Sequence, residues 1–267
     1  MSDLIQINSS LNYRKLFINI KRNKMKKMLL KTIITFLPFS IYAIGGFGLN
    51  VPISSFTVDP SSSDLNIDVL GSSTKVGQID RFGFQNAYGL GGYLYIDMIP
   101  FIDLDVEVNG MANVYDFTFK NDAMDLANIE PDTLGFAWVS GNMYLTIQKS
   151  IFKLGIPFLA KAKLYGGLGL NQHTSTPFID QKMMESFVTN EDGETDLQNG
   201  EFDSDALEDY LTDNLIESSG LHVQAGLQLR LLTFDVFTFY RYTMASDVIP
   251  DANGFSSLNI RLGLGIY

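Results

Sequence analysis

Residues 220–232, GLHVQAGLQLRLL, decide the fold because they alternate strictly between two chemical classes. The apolar parity consists of Leu221, Val223, Ala225, Leu227, Leu229 and Leu231. The other parity consists of His222, Gln224, Gly226, Gln228 and Arg230. Successive side chains of a β-strand point to opposite faces, so this stretch predicts a strand with one apolar and one polar face. A helix would distribute the same residues all around its axis.

Seven further segments repeat this alternation, so the sequence predicts about eight strands. The expected strands are 45–53, 82–98, 102–119, 134–147, 158–170, 220–232, 236–244 and 257–267. The second and third, fourth and fifth, and sixth and seventh segments are joined by short connections. The other connections are long and polar, at about 59–80, 120–133, 171–219 and 245–256. Gly, Ser and Asp dominate the first of them, which reads as a loop.

Bulk composition is that of an ordered protein of one or two domains. The chain has 267 residues, of which 46% are hydrophobic and 12% aromatic, whereas disordered chains have low hydrophobicity. Mean hydropathy is +0.09, too low for a bundle of membrane-spanning helices. The absence of cysteine excludes a disulfide framework, a thiolate metal site and a lipid-anchoring thiol.

Charge separates the first 43 residues from the rest. They hold eight basic residues and one acid, so the 19 basic and 30 acidic residues of the whole chain become 11 and 29 beyond residue 43. The remainder carries a net charge of about −18, which argues against nucleic-acid binding because that needs a basic surface.

Residues 21–43, KRNKMKKMLLKTIITFLPFSIYA, have the layout of a secretory signal: a basic run, an apolar run and a small residue, Ala43. Lys31 and Pro38 interrupt the apolar run, which is too short for a stable spanning helix. We expect residues 1–43 to be an N-terminal extension and signal peptide, and residues 44–267 to be the folded domain. The alternative is an amphipathic anchor helix that stays in the mature protein.

The chain from residue 44 to 267 resembles the small bacterial outer-membrane β-barrel proteins, of the OmpA-barrel, OmpX and OmpW kind. The resemblance rests on the alternation, the turn lengths, the export signal and the aromatic C-terminal strand LNIRLGLGIY. It implies an all-β fold, a transmembrane antiparallel up-and-down β-barrel of about eight strands with a short helix in the longest extracellular loop. It also implies a bacterial outer-membrane location, with outer-membrane lipid and the barrel-assembly machinery as partners.

One feature departs from the resemblance, and one rival fold competes with it. In the usual C-terminal assembly signal the last aromatic residue shares parity with the apolar residues, whereas Tyr267 lies on the parity opposite Ile266 and Leu264. A soluble lipocalin-like barrel would instead place the apolar parity inside. Against it, the apolar faces lack the polar residues of a ligand cavity, and the other parity is rich in Gly, Tyr and Asn.

In a membrane barrel the polar parity would face the lumen and would bring charged side chains of both signs together. The expected lumen charge network is Asp103, Asp105, Glu107, Lys161, Lys163, Arg230, Arg241 and Arg261. Buried charges are costly unless they are paired. The network is either an internal filling of ion pairs, since eight strands leave a bore that side chains can plug, or a narrow ion path.

The connection at residues 171–219 is strongly acidic and is expected to be extracellular. It holds thirteen acids against Lys182, and carboxylates suit an extracellular ligand or a hard cation such as calcium. The motif Asp192, Glu194, Asp196 is followed by Leu197 where a calcium loop needs glycine, which favours a solvated loop. Residues 205–217 predict a helix that begins at Asp205. Its apolar side would pack on the barrel rim through Leu207, Leu211 and Leu215.

The sequence predicts no catalytic, cofactor or metal site. His173 and His222 are the two histidines, and Ser218 and Ser219 lie close to the second. These are residue types that a Ser–His–acid arrangement at the rim would need. The spacing matches no catalytic motif. The expected function is therefore a structural or surface-interaction role; the alternatives are a narrow channel for small solutes or ions and an envelope enzyme such as a lipid-modifying hydrolase.

Overall fold

The computed structural model describes residues 45–69, 71–97, 102–121, 130–131, 133–156, 159–189 and 201–266. The predicted signal peptide and Tyr267 lie outside these residues. In chain order the strands are β1 (Gly45–Val58), β2 (Ser61–Val69), β3 (Ser72–Arg81), β4 (Phe84–Ile96), β5 (Asp103–Asn121), β6 (Thr133–Ile156), β7 (Ala160–Ser175), β8 (Val188–Thr189), β9 (Glu201–Phe202), β10 (Ile216–Leu231), β11 (Phe234–Ile249) and β12 (Ala252–Ile266). The helices are α1 (Gln181–Phe187) and α2 (Ser204–Asp213).

Eight of these strands close into an antiparallel barrel. Each pairs with two neighbours, in the order β1, β4, β5, β6, β7, β10, β11, β12 and back to β1. The closing pair runs from Gly45 opposite Ile266 to Ser55 opposite Ser256. Because the barrel is closed, the backbone N–H and C=O groups that would lack hydrogen bonds at the edges of an open sheet are paired. The prediction of an eight-stranded up-and-down barrel is confirmed.

The apolar faces point outward and the polar faces point into the bore. On β10, the outward Leu221, Leu227 and Leu231 are 54%, 47% and 61% exposed, whereas the inward His222 and Gln228 are 1% and 2% exposed. A soluble lipocalin-like barrel has the opposite arrangement. The described wall therefore excludes that rival.

The two ends of the barrel differ. The turn end holds the short connections β4–β5, β6–β7 and β10–β11 together with the start of β1 and the end of β12. The loop end holds α1, α2, strands β2, β3, β8 and β9, and the β11–β12 turn. Among the described residues, no helix is long and apolar enough to cross a membrane.

The prediction of a loop at residues 59–80 was wrong, because β2 and β3 form a hairpin there. The hairpin turns at Gly71, whose φ of +82° suits glycine, and β3 extends the sheet by pairing with the far end of β5. Its Ser- and Asp-rich exposed face concealed the strands, while Leu65 and Ile79 on the other face are buried.

Three further details of the prediction need correction. The alternation of segment 82–98 predicts that Phe84 and Tyr88 share the outward face. Asn86 has a φ of +63°, and the β1–β4 register shifts nearby, so Phe84 points inward whereas Tyr88 points outward. The loop predicted at 245–256 is mostly strand, with β12 beginning at Ala252 after a tight turn. Helix α2 is capped by Asp203 rather than Asp205, because the Asp203 carboxylate accepts two backbone N–H bonds.

Candidate functional site: the barrel lumen

The centre of the lumen is an ion network between strands on opposite sides of the barrel. Both terminal nitrogens of Arg261 donate to Asp105, at 2.6 and 3.0 Å, and the guanidinium also donates to Glu107. Arg241 donates to both carboxylate oxygens of Glu107 at 2.9 and 2.7 Å. These four side chains are at most 1% exposed. Bidentate charge-assisted hydrogen bonds of this kind offset much of the cost of burying the charges.

Neutral amides complete the hydrogen bonding around the central carboxylate. Asn50 donates to Glu107 at 2.9 Å, and Asn109 also donates to it, at 2.6 Å. On the far side, Arg241 donates from Nε to Gln224 at 2.9 Å. All three amides have the parity of the polar face in the sequence, but the predicted network contained only charged side chains and so omitted them.

Aromatic rings pack on the two central guanidinium groups. The Arg241 guanidinium carbon lies 3.7 Å from the ring centre of Tyr144, and that of Arg261 lies 4.5 Å from Tyr93 and 4.6 Å from Phe239. Cation–π contacts of this type are strongest where water is excluded. The rings therefore fill the bore and stabilise the cations at the same time.

A second group of ion pairs lies toward the turn end. Lys163 pairs with Asp103, and Lys161 pairs with Asp97 at 3.2 Å. Arg230 donates to both oxygens of Asp235, each at 2.8 Å. In addition, Gln228 donates to Asp235 at 3.0 Å, and Tyr95 contacts both members of the Arg230 pair.

All eight charged residues named from the sequence face the lumen, and the structure adds two acids to them. Asp97 and Asp235 raise the number of carboxylates to five, which equals the number of cations. Both lie at strand ends, where the alternation is hard to read, but each has the parity of an inward neighbour, Tyr95 and Phe237. Every cation of the set has a carboxylate partner, so the lumen is charge-balanced.

Above the network, the loop end of the bore is closed by an apolar group that we call the cap cluster. It comprises Val58, Leu65, Val76, Ile79, Phe84, Ala87, Met111, Tyr115, Phe117, Trp138, Ile179, Met183, Met184, Phe187, Val188, Ala245, Val248, Ile249 and Phe255. Helix α1 supplies Met183 and Met184, both completely buried. Trp138 is 1% exposed and stacks on Phe178, with ring centres 6.4 Å apart.

Polar contacts hold α1 against the β2–β3 hairpin. The side chain of Gln181 donates to the Asn66 carbonyl at 2.8 Å and accepts from the Asn66 N–H at 3.2 Å. The Gln181 side-chain amide therefore makes the same two hydrogen bonds to Asn66 of β2 that a neighbouring strand would make. Asp180 caps α1 through the N–H of Met183. Within the hairpin, hydrogen bonds from Ser62 and Gln78 hold the pKa of Asp80 below its usual value.

The acidic connection contributes caps and an exposed helix. Of its acids, Asp180 and Asp203 cap the two helices, and Glu191, Asp192, Glu194 and Asp196 lie outside the described residues. Leu207 and Leu211 pack against the cap cluster as expected, whereas Leu215 is 43% exposed. In the described part of the chain, no group of three His, Asp or Glu side chains could hold a metal ion.

The two histidines lie inside the bore rather than at an open rim. His222 is 1% exposed, and its ring nitrogen is hydrogen-bonded to Thr146 at 2.9 Å. His173 is buried with its ring edge-on to Tyr144. Ser219 points outward and is exposed. No hydrogen bond joins a serine to either histidine among the described residues, so the Ser–His–acid arrangement considered above is not assembled there.

Comparisons with known proteins give only loose similarities. No family model matches the chain, and no curated protein matches it. Among solved structures, the outer membrane protein OprG from Pseudomonas aeruginosa aligns at 13% identity and a TM-score of 0.35, covering 84% of this chain and 94% of that one.

Two other structures align at a similar level. The attachment invasion locus protein Ail of Yersinia pestis, in complex with a heparin analogue, aligns at 11% identity and a TM-score of 0.33, covering 83% of this chain and 97% of that one. The outer membrane protease OmpT from Escherichia coli aligns at 13% identity and a TM-score of 0.30, covering 82% and 95%. The chain is thus similar to outer-membrane β-barrel proteins, and its own strand pairing establishes the barrel.

Proposed function

We propose that the chain is an integral β-barrel of a bacterial outer membrane, with its turn end in the periplasm and its loop end outside the cell. The outward apolar face of β10 extends from Leu221 to Leu231. Ten residues of a strand tilted by about 40° rise about 25 Å, which is the height of the apolar band of such barrels. In water this continuous apolar wall would aggregate.

We propose a structural or surface-interaction role rather than transport. The main observation in favour of this role is that two groups of side chains occupy the bore. They are the charge-balanced network around Arg261 and the cap cluster under α1. A conducting pore needs a continuous water path, and a balanced set of ion pairs offers no net field to select an ion. The narrow channel is the less supported alternative.

Two measurements test this proposal. A closed barrel resists detergent, so unboiled and boiled samples of the membrane-extracted protein should migrate differently on a gel. In planar bilayers, the folded protein should give no stepwise conductance above the lipid background. Absence of a gel shift, with the protein in the soluble periplasmic fraction, would contradict the membrane location, and regular conductance steps would contradict the sealed bore.

For the surface-interaction part, we propose a cationic ligand at the acidic loop end. The exposed side chains of α2 and its cap include Asp203, Asp205, Glu208, Asp209 and Asp213. A basic probe such as oligolysine should bind vesicles that contain the protein, and added salt should weaken this binding because exposed charges are screened. A variant in which Asp205, Glu208 and Asp209 are replaced by the corresponding amides should bind less. Equal binding by both proteins would remove this part of the proposal.

A further inference from the structure

The turn end of β6 extends beyond its neighbour β5. The β5–β6 ladder begins where Asp103 lies opposite Gln148, yet β6 continues to Ile156, paired only with β7. From residue 149 to 156, one edge of β6 has no strand partner among the described residues. The N–H groups along a sheet edge, together with nearby cations, form concavities that bind anions.

Two lysines at this edge have no ion-pair partner among the described residues. Lys149 and Lys153 are exposed, and neither forms an ion pair with a described residue. Together with Ser150, they line a cavity of about 230 Å³. The register between β6 and β7 shifts between Ser150 and Phe152. Lys149 continues the outward face of β6, whereas Lys153, beyond the shift, lies opposite the inward Lys163. The two lysines therefore reach the cavity from the two faces of one strand edge.

The cavity also contains two carboxylates, and both are already paired. Asp97 and Asp103 line its wall, but Lys161 binds the first and Lys163 the second. Among the described residues, Arg230 and Asp235 also lie at this end, and they pair with each other. Residues 98–101 and 157–158, which connect the strands here, carry no charged side chain.

The turn end is therefore positive within an acidic protein. Among the described residues at this end, five cations face three carboxylates, a surplus of two positive charges, whereas the whole chain has a net charge of −11. An unpaired surplus of one sign next to a cavity favours a ligand of the opposite sign.

The position of the cavity identifies the kind of anion. Ile147, the outward residue that precedes Lys149 on the same face, is 49% exposed, and Phe152 at the cavity is 56% exposed. Leu104 lies opposite Ile147 on β5 and continues this apolar wall. The cations thus lie at the lower border of the apolar band, where lysines extend toward lipid headgroups.

We propose that this edge binds one anionic phospholipid of the membrane's inner leaflet. The phosphodiester would lie between Lys149 and Lys153 and accept hydrogen bonds from them and from N–H groups of β6 beyond Gln148, where β6 has no described partner on this side. The acyl chains would pass upward over Ile147 and Leu104. This inference rests on the membrane location proposed above. A strand from another protein or a second copy of this chain are the competing occupants.

Native mass spectrometry of the folded protein in detergent tests the site, with phosphatidylglycerol as the probe and phosphatidylcholine as the zwitterionic comparison. We expect one phosphatidylglycerol molecule to be retained preferentially. Each lysine near an anionic lipid surface is worth about a fivefold change in affinity. Lys149→Ala and Lys153→Ala should each weaken binding by about that factor, and together by about 25-fold. Lys75→Ala at the loop end should leave binding unchanged.

Several outcomes would overturn the proposal. They are equal retention of the two lipids, unchanged binding by the double variant, and complete displacement by inorganic phosphate, which would indicate a simple anion site. A dimer that dissociates in the double variant would identify a second copy as the occupant. The gel shift on boiling is recorded for every variant, so a failure of the barrel proposal is distinguishable from a failure of the lipid site.

Discussion

Arg261 and Asp105 form a bidentate ion pair across the inside of the barrel, although 156 residues separate them in the chain. Arg261 lies on the last strand and Asp105 on the third strand of the ring in chain order. The pair can therefore form only when strands on opposite sides of the bore are in their final register. Such a pair specifies closure more than it adds net stability, because much of its energy offsets the cost of desolvation.

Asp105→Asn should lower the free energy of unfolding by about 3 kcal/mol. Removing one partner of a buried pair leaves the other charge without its full compensation, and Glu107 can satisfy only part of Arg261. Urea titration in lipid vesicles measures the change. The control is Asp116→Asn, an exposed carboxylate on the same strand, which should change stability by less than about 0.5 kcal/mol. Equal losses in the two variants would contradict a special role for the pair.

Leu227→Arg tests the outward face of β10. Leu227 lies near the middle of the apolar face and is 47% exposed. An arginine at mid-membrane on the lipid face costs about 2–4 kcal/mol, and this cost falls toward the interfaces. Glu217→Arg, on the same face of the same strand but at the loop end, should cost almost nothing. The same vesicle titration compares them, and a loss at Glu217 as large as that at Leu227 would rule out a membrane band between these positions.

Trp138 provides an optical probe of the cap cluster because it is the single tryptophan of the chain. Met183→Glu should cost more than about 2 kcal/mol, because it removes a fully buried side chain and introduces a charge. It should release α1 and move the Trp138 emission to longer wavelength as water reaches the ring. Lys182→Glu, at the exposed neighbouring position, should leave the emission unchanged. An unaltered spectrum in Met183→Glu would show that α1 does not seal the bore.

The barrel could be predicted from the sequence because a period of two identifies each long strand and its two faces, and short and long connections alternate between the strands. The same alternation is sufficient to place Arg241, Arg261 and Glu107 in one lumen. It could not pair them, because which residues lie opposite each other depends on the register around the whole ring. Asp97 and Asp235 were missed because they adjoin turns, where the alternation ends.

The cap cluster could not be predicted from the sequence, for a different physical reason. Helix α1 has only seven residues, too few to be stable alone, and it forms because Met183 and Met184 pack on strands distant in sequence. The inward turn of Phe84 depends on the positive φ of Asn86, a single backbone angle that reverses the parity on one side of it. Local patterns contain neither the distant contacts nor that angle.

Leu232→Gly should stabilise the barrel by about 1 kcal/mol. Leu232 has a φ of +55° in the turn between β10 and β11, and the left-handed region costs a residue with a side chain about 1–2 kcal/mol. Its N–H donates to the Leu159 carbonyl at 2.9 Å, and glycine can keep that bond. Some of the gain is offset because Leu232 loses its apolar contacts.

The neighbouring leucine provides a control with the opposite expected sign. Leu231 is similarly exposed, at 61%, but belongs to β10. Within a strand, glycine costs about 0.5–1 kcal/mol because it loses more conformational entropy on folding than other residues. Leu231→Gly should therefore destabilise the barrel in the titration in which Leu232→Gly stabilises it. If both variants lose stability, the contacts of the Leu232 side chain stabilise the turn by more than its positive φ destabilises it.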